Sequence, residues 1–414
     1  MFLLELLPMM LQAYLSLLIN PIFWLVVLFI GMQFNKINSA KKRLYGVEGA
    51  PVWQTTLLAT AYGVLGGIFG SIFMVAAGIS ITEIGIIYLW IVAIMLLLVS
   101  PRFLCFSYAG AIISMSYLIF GWPNIDIPHL MGLVAILHLV ESFLILTSGH
   151  FAALPVYVEN TYNQTVGAFS LQKFWPIPII ALMLIEGSMP GDTGGMVNMP
   201  DWWPFIQSHK AESLDIFFYM MLPVLAALGY GDIAISNTPE EKSRSSAGLL
   251  AIYSVVLLLL SISASWLPQI VVLPALFGAL GHELVIWMGR KSQFDGDPLY
   301  VASGSGVKIL DVDKGSYAQK LGIQRGDVIY SINNIRIYDR FQLKEELKET
   351  TDFLEVEYIK ADESRIHREF TWIKERRNFG VIPVPESSDR PQVQLSTEGI
   401  LVRWIKKKFK KASQ

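Results

Sequence analysis

Long apolar runs dominate the first 289 residues and then stop. A helix that crosses a bilayer needs about 20 consecutive apolar residues. Runs approaching or reaching that length fall at residues 11–34, 55–79, 82–100, 103–121, 130–148, 174–189, 215–231, 247–266 and 269–288. Asn20-Pro21 splits the first, so Phe2 to Leu18 reads as an interfacial helix leading into a short span. Trp175, Pro176 and Pro178 make the sixth begin irregularly. The pattern predicts about eight transmembrane helices.

Beyond residue 290 the period changes. Asp327 to Ile332 puts Val328, Tyr330 and Ile332 on one face, and Phe353 to Ile359 does the same with Leu354, Val356 and Tyr358. Arg365 to Ile373 alternates again through Ile366, Phe370 and Trp372. Between them, Asp339 can cap a helix from Arg340 to Glu349, with Leu343 and Leu347 four apart on one side. The expected fold is an α-helical polytopic membrane domain (residues 1–289) and a juxtamembrane linker (290–297), followed by a small α+β domain (298–375). A Pro/Ser linker (376–399) and a basic amphipathic tail (400–414) complete the chain.

Composition sharpens the division. Of 414 residues, 53% are hydrophobic and 16% charged, against about 25% charged in ordinary soluble domains. The charges gather after residue 290, so the two parts are built for two solvents. A net charge of −2 gives no electrostatic footprint for nucleic acid. The single cysteine, Cys105, excludes a disulfide within the chain and reads as a small buried apolar residue. Met1 to Leu18 lacks a basic start and a small-residue cleavage site, so no cleavable signal peptide is expected. Lys36, Lys41, Lys42 and Arg43 follow the first span, and Arg290 and Lys291 follow the last, which places both segments in the cytoplasm and, counting through nine spans, the N-terminus outside.

Polar residues at membrane depth are the candidates for chemistry. His138 and Glu141 stand three apart on one helical face, as a metal or proton site or as interhelical hydrogen-bonding groups. Glu83 and Glu186 adjoin apolar runs, and Gly63, Gly66, Gly67 and Gly70 have the spacing of a close packing face. A zinc hydrolase needs two histidines one turn apart with a glutamate beside the first. Gly281-His282-Glu283-Leu284-Val285-Ile286 offers one histidine, with Ile286 where the second is required, and Asp295-Gly296 falls after the last span. Ser305, between Gly304 and Gly306, lies in the soluble part. No catalytic residue, metal ligand or cofactor is expected from these strings. A transporter, with broken helices at Pro176, Pro178 and Pro223, is the other alternative.

The run from Gly306 to Asn334, with Gly315-Ser316 before the short turn Tyr317 to Leu321 and then Gly326-Asp327, resembles a bacterial PDZ domain. The resemblance implies a small β-sandwich closed by two helices that binds an extended peptide by adding it to a sheet edge. Carried onto this chain, it implies an edge at Leu299, Tyr300, Val301 and Ala302, facing Phe341, Leu343, Lys344 and Leu347. Edges of this kind usually read apolar-Gly-apolar, and Tyr300 stands where the glycine is expected, so capture of a C-terminus and of an internal segment both stay open. In the tail, Arg403, Trp404, Lys406, Lys407, Lys408, Phe409, Lys410 and Lys411 are expected to contact anionic lipid. The whole arrangement is similar to the MinJ-like topological determinants of cell division. That resemblance implies a non-enzymatic bridge between DivIVA-like and MinD-like proteins at the bacterial plasma membrane, at septum and poles, with a cytoplasmic PDZ domain and a possible homo-oligomer.

Overall fold

The computed structural model describes residues 2–47, 49–187, 197–208, 217–350, 353–371 and 379–392. The expected lipid-binding tail, from Arg403 to Lys411, lies outside the described residues.

Six helices come first: α1 (Phe2–Ile19), α2 (Pro21–Tyr45), α3 (Val52–Ala77), α4 (Ile86–Val99), α5 (Phe106–Phe120) and α6 (Ile127–Ser148). Asn20 ends α1 and caps α2, its side chain accepting from the Ile22 N–H at 2.9 Å, with Pro21 in the first turn where no amide is needed. Helix α6 is the axis of the bundle. It is buried along most of its length and packs on α3, α5, α7 (Pro239–Trp266) and α8 (Val272–Phe294). Among the described residues, five helices are long and apolar enough to cross a membrane: Pro21–Tyr45, Val52–Ala77, Ile127–Ser148, Pro239–Trp266 and Pro268–Phe294. Helices α4 and α5, of 14 and 15 residues, reach only about 21 to 23 Å at 1.5 Å per residue.

The expected spans at 174–189 and 215–231 are not helices. Strand β1 (Leu154–Glu159), β2 (Thr165–Glu186) and β3 (Phe217–Ala234) form an antiparallel sheet in the order β1-β2-β3. The prolines give the reason. Pro176 and Pro178, two apart, are incompatible with a helix interior but suit a strand whose missing amides face away from its partner. Beyond Ser170, β2 pairs with β3 on one edge and turns its other edge to α3 and, through a single bridge at Leu182, to Ser80. The amides of Ile180 and Leu184 point to that edge and donate to the hydroxyls of Ser71 (2.9 Å) and Thr82 (3.0 Å). Pro176 and Pro178 share their parity, so neither interrupts the ladder to β3. The glycine stripe of α3 lets the two backbones meet. A Cβ on Gly63 would fall 2.1 Å from the Pro176 carbonyl oxygen, and one on Gly67 2.0 Å from that of Pro178, while Gly66 and Gly70 face Leu144 and Val140 of α6. Close packing is thus made to a strand on one side and to a helix on the other.

The C-terminal region contains β4 (Val307–Val312), α9 (Tyr317–Lys320), β5 (Val328–Ile332), β6 (Ile335–Arg336), α10 (Arg340–Glu349), β7 (Phe353–Ile359), β8 (Arg365–Thr371) and β9 (Val381–Pro383). The sheet runs β8-β7-β5-β4-β9, with β6 on β5. Ile309, Ile329, Ile332, Leu343, Leu354, Val356 and Tyr358 fill its core. Ser316 caps α9, accepting from the Gln319 amide, and Asp339 caps α10, accepting from that of Gln342 at 2.8 Å. The segment expected to be a linker therefore supplies a strand of this domain, and Phe379 joins its core.

Candidate functional site

The C-terminal sheet has two outer strands, β8 at one end and β9 at the other, and β9 is the one beside the membrane half. It pairs antiparallel with β4, matching Pro383 to Ile309, Ile382 to Asp311 and Val381 to Val312. Proline is tolerated there because an edge strand needs only one ladder. Phe379 and Gly380 lead in: the Ala318 amide donates to the Phe379 carbonyl at 3.0 Å, and the Asp313 amide to that of Gly380 at 2.8 Å. Gly380 has φ +76°, and a Cβ there would sit 2.2 Å from Ser316 Cβ, so only glycine fits this approach. Phe379-Gly380-Val381 is the apolar-Gly-apolar string that an edge of this kind uses; it lies past the expected end of the domain, where the expectation did not look.

The residues expected at the edge sit elsewhere. Tyr300 is buried, and its carbonyl accepts from the Gly167 amide of β2 at 2.9 Å while its ring meets Phe169 edge-on. Leu299 donates its amide to the Ile235 carbonyl at 3.0 Å, and Leu299, Val301 and Ala302 are exposed. Leu299 to Ala302 thus run along the membrane-half sheet. Of the facing helix, Phe341 and Lys344 are exposed, Leu347 is half-buried, and Leu343 belongs to the core. The first turn of α10 is tied to the chain leaving β9: the Arg340 amide donates to Glu386 at 2.9 Å and its guanidinium makes two bonds, 2.6 and 2.7 Å, to Asp389. Those carboxylates, by hydrogen bond and charge, raise the Arg340 pKa.

This domain is seated on the membrane half. Asp311, nearly buried, takes Arg325 Nε at 2.8 Å and Lys41 Nζ of α2 at 3.3 Å. Arg325 also lies over the Phe169 ring of β2, 4.6 Å from its centre. The Tyr157 hydroxyl of β1 donates to the Pro383 carbonyl at 2.8 Å, and Tyr300, Leu310, Ile382 and Val384 share the membrane half's core. Burial, followed by the charge of Asp389, pushes the Tyr157 pKa up to about 12, so its hydroxyl stays a donor. A cavity of about 160 Å³ remains at the seam, lined by Asn38, Lys41, Gln172, Asp311, Lys314 and Arg325 among others.

Inside the bundle, the polar candidates separate. His138 meets groups from three other elements, α5, α7 and α8, rather than Glu141. Its Nε2 lies 3.0 Å from Cys105 Sγ and 3.3 Å from Ser107 Oγ, and its ring meets those of Tyr253 and His282. Cys105 is 33 residues from His138 and 177 from His282 in sequence, distances no local motif bridges. Glu283 turns to Arg102 and to the Tyr108 hydroxyl, 2.8 Å away. Glu83 is fully buried 3.2 Å from His129, which Asp126 holds from its other nitrogen, and Ser208 donates to Glu83. Glu186 ends β2 in an exposed position.

Residues 308–353 match the family model of the PDZ domain. The chain therefore carries a PDZ domain beside a region of apolar helices long enough to span a membrane. The comparison with curated proteins returned no match.

Proposed function

We propose that the chain is a non-enzymatic membrane scaffold whose PDZ domain grips partner proteins by strand addition. The observation that carries this reading is the outer strand β9, which ends the sheet beside the capped start of α10 on a domain fixed to the membrane half. Strand addition uses main-chain bonds for affinity and side-chain pockets for choice of partner. Seating limits the domain's freedom, so a captured partner is held at a fixed place by the bilayer.

The side of the membrane is proposed as cytoplasmic. The basic end of α2, with Lys36, Lys41, Lys42 and Arg43, lies on the side of the PDZ domain, as does Arg290 at the end of α8. Basic loops stay inside. On the architecture described for MinJ-like proteins, the partners are DivIVA-like and MinD-like proteins and the role is placement of the division site. Anionic lipid at the basic tail and self-association complete the proposal.

The competing reading is a relative of intramembrane zinc proteases. Glu283, the residue that would activate water, is bound by Arg102 and Tyr108, and Ile286 stands where that chemistry wants a histidine. A pull-down from detergent, with and without residues 306–384, which hold β4 through β9, read by mass spectrometry, tests the scaffold. Its partners should be lost on deletion and kept in Glu283→Gln. Partners retained without the PDZ domain, or cellular function lost in Glu283→Gln, would refute it.

A further inference from the structure

Cys105, His138 and His282 offer one ligand atom each, all within 4.8 Å of one another. They come from three separate elements. Cys105 caps α5 after the short 3-10 turn Pro101–Leu104, His138 is buried in the middle of α6, and His282 is on α8. The tautomer of His138 follows from its other nitrogen. Nδ1 is 2.7 Å from the Val134 carbonyl, which can only accept, so Nδ1 carries the proton and Nε2 presents its lone pair toward Cys105. A carbonyl in that place is the usual outer partner of a metal-bound histidine.

The thiol proton of Cys105 can serve only one of the two facing Nε2 atoms, and Ser107 Oγ, 3.3 Å from His138 Nε2, is the other donor within reach. The spacing suits a cation. With Zn–S near 2.3 Å and Zn–N near 2.0 to 2.1 Å, a tetrahedral centre puts sulfur and nitrogen about 3.6 Å apart. Cys105 Sγ lies 3.6 Å from His282 Nε2 and 3.0 Å from His138 Nε2.

We infer that Cys105, His138 and His282 form a site for a divalent cation of the zinc class, clasping α5, α6 and α8. Thiolate with imidazole selects zinc over magnesium or calcium, which prefer oxygen. Binding releases the thiol proton to solvent and leaves Cys105 as thiolate. Three protein ligands leave a fourth position for water. Ser107 lies at the rim, bonded to the Tyr253 hydroxyl at 2.9 Å.

The chain's single thiol makes the test direct. The full-length protein, purified in detergent and stripped with a chelator, is titrated with Zn²⁺ or Co²⁺ while metal content and alkylation of Cys105 are measured. One metal per chain is expected, with Cys105 protected from alkylation and Co²⁺ showing thiolate charge-transfer absorption. Cys105→Ser should abolish that absorption, and His138→Gln or His282→Gln should weaken binding at least about tenfold. If a variant does not fold, the protection measured on the unaltered protein decides alone. Equal alkylation rates with and without metal, and no more metal than in Cys105→Ser, would overturn the site. Neither result depends on the PDZ partner experiment.

Discussion

Asp311 on β4 lies 3.3 Å from Lys41 at the end of α2, and this ion pair fastens the PDZ domain to the membrane half. Its aspartate is nearly buried and also holds Arg325, which stacks on Phe169. The contact is a hub rather than a surface pair, where about 1 kcal/mol at most is expected.

Asp311→Ala leaves Lys41 and Arg325 facing each other without their shared anion. The seat should weaken by about 2 kcal/mol, between the roughly 1 kcal/mol of a surface pair and the roughly 3–5 kcal/mol of a fully buried one, since both cations are partly exposed. Limited proteolysis of the full chain should show faster cleavage between Phe294 and Gly306. Cleavage at the unaltered rate would show that the apolar contacts of Tyr300 and Leu310 suffice.

Gly67→Val tests the meeting of α3 and β2. Its Cβ would lie 2.0 Å from the Pro178 carbonyl oxygen, which is backbone and cannot yield cheaply. A loss of about 3 kcal/mol or more is expected, read as loss of a monodisperse peak in detergent. Gly248→Ala on α7, with open space around it, should instead be neutral or stabilise by up to about 1 kcal/mol.

Gly380→Ala strains a left-handed residue and pushes on Ser316. A cost of about 1–3 kcal/mol is expected, confined to β9 and the start of α9. Hydrogen exchange should lose protection at the Asp313 and Ala318 amides, which bond to Gly380 and Phe379. Protection lost throughout the sheet would contradict this local effect.

Asp327 gives the PDZ domain a pH response. Burial raises its pKa, against the Gln324 amide that lowers it. A folded pKa above the unfolded one means that the native state binds the proton more tightly, so stability falls as pH rises through and just above the ordinary aspartate range. Denaturation of unaltered and Asp327→Asn protein across that range should show the slope only in the former. A parallel pair of curves would remove Asp327 as the cause.

Strand β7 and the cap at Asp339 were legible in the sequence, because alternation and capping are local, whereas in β5 a bulge puts Ile329 rather than Val328 and Tyr330 in the core with Ile332. The axial helix α6 was legible for the same reason. Hydropathy alone could not tell a span from a strand at 174–189, since both need the same apolar content when buried; the two prolines carried the answer. The stripe at Gly63 to Gly70 announced a close approach but not its partner. Tyr300 and Phe379 exchange expected places because the PDZ edge comes from the C-terminal side, while the segment ahead of β4 serves the membrane half. The thiol-imidazole group was illegible because its members meet only through packing of α5, α6 and α8.

The central claim is that β9 and α10 receive a partner segment. A photo-crosslinking residue placed in the full-length protein in cells at Val381, and separately at Phe341, tests it most directly. The account predicts that both positions capture the same partner polypeptide, and that the same residue at exposed Leu280 on α8 does not. Capture of nothing at Val381 and Phe341, or of different proteins at each, would contradict it.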